Sequence, residues 1–242
     1  MLDGIFSELS VFRDWILPAF VQKNITLHFH NFHTMDLENY ITAHTEREPD
    51  YLRTIFRNTN IRLLNPRMQS GHYQGRLLKM FTHIVAPCNV LEIGTFSGYA
   101  TLCLAEGLPD GAHIDTVEID DELEDFIVQN LDLSPFADRI TLHIGDALQI
   151  VPSLDKVFDL VFVDGNKRHY RQYLDMVLPL LSERGVVLAD NTLWRGKVLD
   201  TPAGNDYQTQ SIIDFNRYVA SRSDIEQIIL PVRDGLTVIR KK

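Results

Sequence analysis

Two apolar runs in the sequence each end in an acidic residue, and these two ends could do chemistry together. The first run ends at Asp164, and the second ends at Asp190, which Asn191 follows. The spacing between them accommodates one strand–helix–strand unit, so we expect two parallel, neighbouring strands. Asp164, Asp190 and Asn191 would then lie side by side at the ligand-binding end of an open sheet. Two carboxylates that close repel unless a cation lies between them, and three oxygen ligands suit Mg²⁺ or Ca²⁺.

Lys167 adds a candidate base to this group. It lies three residues beyond Asp164, at the same end of the predicted sheet. A neighbouring cation disfavours the ammonium form of a lysine, so Lys167 could accept a proton there. The alternatives are a lysine at the surface or a salt bridge with Asp164.

The elements that must position these residues alternate between short apolar runs and amphipathic helices. Strands are predicted at 90–93, 114–118, 140–144, 160–164, 186–190, 225–230 and 236–240, and helices at 99–107, 122–131, 170–181 and 207–221. This pattern predicts an α/β fold with a doubly wound, seven-stranded, mostly parallel sheet. The short turn at 233–235 predicts an antiparallel hairpin, and therefore one antiparallel edge strand at the C-terminus. Helices at about 36–48, 50–57 and 72–85 would form a helical N-terminal cap.

The turn after the first predicted strand suits a nucleotide-like cofactor. Gly94 lets a ligand approach the backbone, and a helix N-terminus follows it. The dinucleotide fingerprint is absent, and Glu92 disfavours a pyrophosphate but suits a ligand with an ammonium group. Glu118 ends the next strand, where an acid accepts hydrogen bonds from ribose hydroxyls, and Gly145-Asp146-Ala147 could border an adenine. A ribose, an adenine and an amino-acid head together describe S-adenosylmethionine.

The composition is that of a soluble globular protein. The chain has 242 residues, 45% of them hydrophobic, and a formal net charge of −10, which argues against a general nucleic-acid binder. The segment 51–79 nevertheless contains no Asp or Glu, and it could be either a local basic patch or a solvated helical face. Its cations are Arg53, Arg57, Arg62, Arg67, Arg76 and Lys79.

The expected location is the cytoplasm. The apolar segment 15–21 is too short to span a bilayer and lacks a preceding basic region. Cys88 and Cys103 stand in apolar surroundings, so we expect buried thiols in a reducing compartment rather than a disulfide.

Residues 1–35 read as an N-terminal extension of unclear role, followed by one domain at 36–242. The extension shows weak periodicity and contains His28, His30 and His33, which have no further metal-ligand types close by. An alternative is that Met35 is the start of the protein.

Several motifs resemble those of the cation-dependent class I S-adenosylmethionine O-methyltransferases, the catechol and caffeoyl-CoA type, and most of all the small bacterial members. The motifs are EIGTFSGY at 92–99, VDGNK at 163–167, ADNTLWRGKV at 189–198, MQSG at 68–71 and DGL at 234–236. The resemblance extends from about residue 36 to residue 242. It implies a Rossmann-like fold, S-adenosylmethionine and a divalent cation as cofactors, and a homodimer.

The resemblance also implies roles for individual residues. The implied cofactor contacts are Met68, Ser70, Glu92, Gly94, Thr95, Tyr99, Glu118, Ala147 and Asn166. The implied metal ligands are Asp164, Asp190 and Asn191, with Lys167 as base. Trp194 and Arg195 are implied at the substrate, although Trp194 could instead anchor a loop.

Two positions depart from the family pattern. Ala100 replaces a hydroxyl residue that is frequent there, which removes one contact to the methionine head. Arg195 stands where plant relatives carry a small polar residue, which is not typical of plant-like substrate specificity.

The leading hypothesis is a metal-dependent transfer of a methyl group to one hydroxyl of a small catechol-like or hydroxycinnamoyl substrate. Arg195 and Lys197 could favour an acidic tail on that substrate, or could contact an RNA backbone. A tRNA 5-hydroxyuridine methyltransferase of the same fold is the first alternative, which the basic segment favours and the net charge does not. A non-catalytic S-adenosylmethionine-binding protein is the second, and the set of metal ligands with Lys167 argues against it.

Overall fold

The computed structural model describes residues 37–242, which belong to two compact units that divide between Glu46 and Arg47. The first unit contains a helix at 37–43, shorter than the predicted 36–48. The predicted extension 1–35, its three histidines, the start of the domain at residue 36 and the alternative start at Met35 lie outside the described residues.

The second unit is built on a mixed sheet of seven strands. These are β1 Asn89–Ile93, β2 His113–Glu118, β3 Ile140–Ile144, β4 Phe158–Val163, β5 Leu181–Asp190, β6 Ile225–Leu230 and β7 Leu236–Lys241, in the spatial order β3-β2-β1-β4-β5-β7-β6. The first five strands are parallel to one another, and β7 runs antiparallel to both β5 and β6. The predicted mostly parallel sheet with an antiparallel C-terminal edge is confirmed. Within that edge, the hairpin places β7 inside and β6 outermost.

Seven helices of the second unit are named here in chain order. They are α1 Asp50–Arg62, α2 Gly71–Val85, α3 Tyr99–Ala105, α4 Glu124–Leu131, α5 Ala147–Ile150, α6 Tyr170–Val177 and α7 Tyr207–Ser221. Helix α1 continues past its predicted end because Leu52, Ile55 and Thr59 form a buried face that spans both halves. Helix α6 ends before the predicted residue 181 because Pro179 cannot continue a helix.

Both faces of the sheet are covered, as parallel strands require. Odd-numbered residues such as Leu91, Val161 and Val187 pack with α6 and α7 on one face. Even-numbered residues such as Val90 and Leu160 pack with α1, α2 and α3 on the other face. This sandwich holds the C-terminal ends of the central strands in fixed positions.

Two expectations drawn from composition can be compared with the described residues. Within 37–242, no helix is long and apolar enough to cross a membrane. Both cysteines are free and Cys103 is buried, but the expectation of a buried Cys88 is wrong. Cys88 is exposed because it lies in the bend that precedes β1 rather than within the strand.

Candidate active site

The C-terminal ends of β1, β4 and β5 meet at one edge of the sheet. Asp164 follows β4, and its backbone N–H donates to the carbonyl of Ile93 in β1 at 2.8 Å. Gly94 has a φ of 101°, and a Cβ added there would lie 2.6 Å from the carbonyl oxygen of Asp164. Only glycine therefore fits between the end of β1 and Asp164.

Asp190 is the most constrained carboxylate at this edge. It is 2% exposed, and its Oδ2 accepts from Gln74 Nε2 at 2.7 Å while its Oδ1 accepts from the N–H of Asn191 at 2.8 Å. Burial, reinforced by the nearby charge of Asp164, raises the pKa of Asp190 to about 7. The charge of Asp164 thus disfavours the ionised form of Asp190.

Lys167 begins a short 3₁₀ helix, Lys167–His169, which follows Asp164 and leads directly into α6. Its Nζ is 2.7 Å from Asp164 Oδ1 and 2.6 Å from the hydroxyl of Tyr170. The side chain is only 8% exposed, so the alternative of a lysine at the surface is wrong. The salt bridge with Asp164 is present, and it places the amine within the candidate site.

The donor set for a cation consists of oxygen atoms. Among residues 37–242, no group of three or more His, Cys, Asp or Glu side chains is placed to hold a metal ion. The candidate set is therefore two carboxylates and one amide, with Asn191 turned by a positive φ of 58° directly after Asp190. Carboxylate and amide oxygens suit a hard cation such as Mg²⁺ or Ca²⁺, and a cation would relieve the repulsion at Asp190.

Glu92 in β1 is fully buried on the other side of Gly94. Its Oε2 accepts from the hydroxyls of Thr101 and Thr116, the latter at 2.6 Å. Its Oε1 is buried and has no hydrogen-bond partner in the described part of the chain. Burial raises the pKa of Glu92 to about 8. The orphaned oxygen fits an ammonium group, which would supply the missing donor and a compensating charge.

Glu118, at the end of β2, is held by backbone donors. Its Oε2 accepts from the N–H of Phe96 at 2.7 Å, and its Oε1 accepts from the N–H of Asp120 at 3.0 Å. Each oxygen keeps a lone pair for a ribose hydroxyl. Ala147, the first residue of α5, is buried directly after the capping side chain of Asp146. These positions agree with a nucleoside lying across the ends of β2 and β3.

Three further predicted cofactor residues use their side chains within the protein. The hydroxyl of Thr95 is 2.6 Å from that of Thr116, and the hydroxyl of Tyr99 donates to Glu48. Asn166 is exposed, and its side chain caps the N–H of Arg168 at 3.1 Å. The carbonyls of Thr95 and Asn166 also accept within the protein, from the N–H groups of Gly98 at 3.0 Å and of His169 at 2.9 Å.

The remaining two predicted cofactor residues, Met68 and Ser70, lie in the segment before α2 and differ from each other in exposure. Met68 is 59% exposed, whereas Ser70 is buried and its carbonyl accepts from Arg233. Arg233 also donates to the carbonyl of Gln69 at 3.1 Å. This arginine therefore holds the segment that is predicted to close over the cofactor.

The loop after Asn191 carries the two predicted substrate residues. Trp194 is half-buried and packs against the core beside α6 and α7, which matches its alternative role as a loop anchor. Arg195 has a side chain that is 75% exposed, and its Nε lies 3.8 Å from Asp234 Oδ2. Only Arg195 of this pair projects fully toward solvent.

Three residues at the site were not predicted from the sequence: Gln74, Tyr170 and Arg233. Gln74 contacts both Asp190 and Arg233, and the three residues lie on segments distant from one another in the chain, so no local motif predicts these contacts. Tyr170 falls within a predicted helix, and its spacing from Lys167 was the one signal available. Gln74 is buried on the inner face of α2, and a polar residue in that position cannot be predicted to be buried from a single sequence.

The fold and the placement of Glu92 and Gly94 at the end of β1 and of Glu118 at the end of β2 define a Rossmann-like S-adenosylmethionine-dependent methyltransferase. The model of the family described as O-methyltransferase matches residues 42–242, and the chain belongs to this family.

Relatives and solved structures agree with this assignment. Caffeoyl-CoA O-methyltransferase 1 of Eucalyptus globulus is 31% identical over 184 residues, which cover 72% of this chain and 75% of that protein. The S-adenosylhomocysteine-bound methyltransferase of Podospora anserina has a TM-score of 0.80 at 30% identity and covers 87% of this chain and 95% of that one. The O-methyltransferase TomG of Streptomyces achromogenes, solved with S-adenosylmethionine, has a TM-score of 0.78 at 29% identity and covers 86% of this chain and 96% of that one. The protein is an S-adenosylmethionine-dependent O-methyltransferase, and the non-catalytic alternative is set aside.

Proposed function

We propose that this O-methyltransferase depends on a divalent cation and methylates one hydroxyl of a small aromatic compound with two adjacent oxygens, a catechol-like or hydroxycinnamoyl substrate. One observation carries the proposal: Asp164 lies close to the buried Asp190. Its negative charge adds to the effect of burial and raises the pKa of Asp190. Such a pair, followed by Asn191, supports a cation site that leaves positions open for a bidentate substrate.

The cation would lower the pKa of a bound phenol and hold both of its oxygens. Asp164, Asp190 and Asn191 would be its protein ligands. Lys167 would receive the phenolic proton at Nζ. The cofactor would supply the methyl group, and its bond from carbon to sulfur would break as the substrate oxygen bonds to that carbon, with the electron pair left on sulfur. The protein's part is to hold the two reactants in line.

The cofactor would be oriented by acids at two strand ends. The unpartnered Oε1 of Glu92 would accept from the ammonium of the methionine head, and the backbone-anchored Glu118 would accept from the ribose. Gly94 would allow the close approach between them. Thr95, Tyr99 and Asn166 are candidates for further contacts, with Met68, Ser70 and Ala147 bordering the cofactor.

The acceptor's chemistry is suggested by the loop that bears Trp194 and Arg195. Lys197 is paired with Asp206 at 3.0 Å, and Arg195 has Asp234 nearby. An acidic tail would have to compete with these carboxylates, so we expect a small uncharged catechol to react at least as well as its carboxylated counterpart. The Eucalyptus relative, by its name, acts on caffeoyl-CoA, whose caffeoyl group carries two adjacent hydroxyls, and this supports the proposed pair of oxygens.

A tRNA substrate is the second candidate, because part of the basic segment is exposed. Arg53, Arg57, Arg62 and Arg67 all face solvent on or just after α1. Arg76, however, is buried in an ion pair with Glu106 at 2.6 Å. The exposed basic surface is thus smaller than the sequence suggested.

The family resemblance also suggests a homodimer, which sedimentation would test.

The experiment that tests the proposal compares methyl transfer from labelled S-adenosylmethionine to catechol, guaiacol, phenol, caffeic acid and hypomodified tRNA that carries 5-hydroxyuridine. We expect catechol and caffeic acid to react far faster than guaiacol and phenol. Phenol offers a single oxygen, and one of the two oxygens of guaiacol is a methyl ether that binds a cation weakly, so both acceptors would be poorly oriented. Equal rates for phenol and catechol would contradict chelation. Preferential labelling of tRNA would favour the second candidate.

A further inference from the structure

The hydroxyl of Tyr170 is the centre of a buried hydrogen-bond network. It lies 2.6 Å from Lys167 Nζ, 3.1 Å from the carbonyl oxygen of Val163 and 3.0 Å from the carbonyl oxygen of Asp190. Tyr170 is 1% exposed, so water does not compete for these contacts. One hydroxyl therefore joins the candidate base to the ends of β4 and β5.

The direction of each hydrogen bond follows from the groups involved. A hydroxyl has one proton to donate, and a carbonyl oxygen can only accept. The proton of Tyr170 is therefore shared by the two carbonyls of Val163 and Asp190. Toward Lys167, the oxygen of Tyr170 must act as the acceptor, so Lys167 donates to it.

This arrangement leaves one direction free at the amine of Lys167. Besides its bond to carbon, Nζ has three positions for protons or a lone pair. Two of them point to Asp164 Oδ1, at 2.7 Å, and to the hydroxyl of Tyr170. The ring of Tyr170 meets that of Phe215 edge to face, with centroids 5.4 Å apart, which fixes the tyrosine itself. The amine is thus held by groups that are themselves fixed.

We propose that Tyr170 is a positioning residue that directs the remaining site of Lys167 Nζ toward the substrate hydroxyl. The inference rests on the proposed role of Lys167 as base. Because its hydroxyl also bonds to the Asp190 carbonyl, Tyr170 fixes the distance between the base and the strand that bears the candidate cation ligands. It acts through Lys167 and need not touch the substrate.

Replacing Tyr170 by phenylalanine removes the acceptor and keeps the ring against Phe215. Misplacement of a catalytic group by about 1 Å can cost about 100-fold in rate, so we expect Tyr170→Phe to lower kcat between about 10- and 100-fold. The KM for catechol and the Kd for S-adenosylmethionine should stay within about twofold, since uniform binding is unaffected. Tyr218→Phe is a matched control, because it also removes a tyrosine hydroxyl, one that bonds instead to Asp175 and Arg222.

The test is a double-mutant cycle with the wild type, Tyr170→Phe, Lys167→Ala and the double variant, with cofactor affinity measured by calorimetry on each. If Tyr170 acts through Lys167, its replacement should change kcat by less than about twofold once Lys167 is alanine. An equal loss in both backgrounds would overturn the inference and mark Tyr170 as structural. If Lys167→Ala itself costs less than about threefold, the base assignment in the proposed function fails, and the positioning role fails with it.

A crystal structure of the wild-type complex with S-adenosylhomocysteine, Mg²⁺ and catechol gives an independent measurement should Tyr170→Phe not fold. We expect Lys167 Nζ to remain within about 3.2 Å of the Tyr170 hydroxyl and to approach the bound catechol oxygen. A tyrosine hydroxyl separated from Nζ in that complex would overturn the inference.

Discussion

Gln74 donates from Nε2 to Oδ2 of Asp190 at 2.7 Å. Both side chains are buried, and the two residues lie far apart in the sequence. The orientation of the amide is set by Arg233, whose guanidinium donates to Gln74 Oε1 at 3.1 Å. Since arginine can only donate, the amide must present its N–H₂ to Asp190. One lone-pair direction of Asp190 Oδ2 is thereby taken, and the carboxylate is held in place for a ligand.

Replacing Gln74 by alanine should weaken the response to the cation. Partners that orient a metal ligand typically contribute about 10–100-fold in metal affinity or activity, so the Mg²⁺ concentration for half-maximal rate should rise by about that factor. Met80→Ala, an exposed change on the same helix, is the control. The measurement is the initial rate across an Mg²⁺ titration. Identical curves for Gln74→Ala and the wild type would contradict a role of Gln74 in orienting Asp190.

Glu92 should make the cofactor-free protein less stable as the pH rises. Its ordinary pKa of 4.5 is raised to about 8, first by burial and further by Asp164 and Glu118. Between those values the native protein keeps a proton that the unfolded chain has released, so stability falls with pH by up to about 1.4 kcal/mol per pH unit. Glu92→Gln has no such proton, and its unfolding free energy should fall less steeply.

Urea denaturation of both proteins at about pH 5 and about pH 8 measures this difference in slope. Parallel pH dependences for the wild type and Glu92→Gln would mean that Glu92 is not protonated in the native state.

Tyr99 should contribute to stability and not, through its hydroxyl, to cofactor binding. Its hydroxyl donates to Glu48, and the side chain is fully buried. Tyr99→Phe should therefore lower the unfolding free energy by about 1 kcal/mol and leave the affinity for S-adenosylmethionine unchanged. Glu118→Ala serves as the positive control and should weaken binding by about 1–3 kcal/mol, as measured by calorimetry. A loss of affinity for S-adenosylmethionine in Tyr99→Phe would instead indicate that the Tyr99 hydroxyl contacts the cofactor.

The sequence predicts the central strands well because their apolar runs end at charged or glycine residues. β3 and β6 begin and end at the predicted residues, and so does α7. β5 starts five residues before its predicted start, because Ser182, Glu183 and Arg184 interrupt the apolar pattern while the backbone is already extended. Pairing with β4 across an irregular register, which no local pattern encodes, extends this strand.

The site is predictable where it follows strand ends and unpredictable where it depends on tertiary contacts. Asp164 and Asp190 lie side by side because β4 and β5 are parallel neighbours that end at the same edge, and Asn191 follows Asp190. The use of the Tyr99 hydroxyl by Glu48 depends on how the start of α3 faces the segment before α1. Pairing of Arg76 with Glu106 likewise removes one cation from the apparent basic patch.

The cation requirement is the central claim, and one rate measurement tests it most directly. The initial rate of methyl transfer to catechol is measured with saturating S-adenosylmethionine in excess EDTA, and again after Mg²⁺ is restored above the chelator. The proposed cation site at Asp164, Asp190 and Asn191 predicts that transfer stops in EDTA and returns with Mg²⁺, since carboxylate and amide oxygens suit that ion. The same rate in EDTA as in Mg²⁺ would contradict a cation-dependent mechanism.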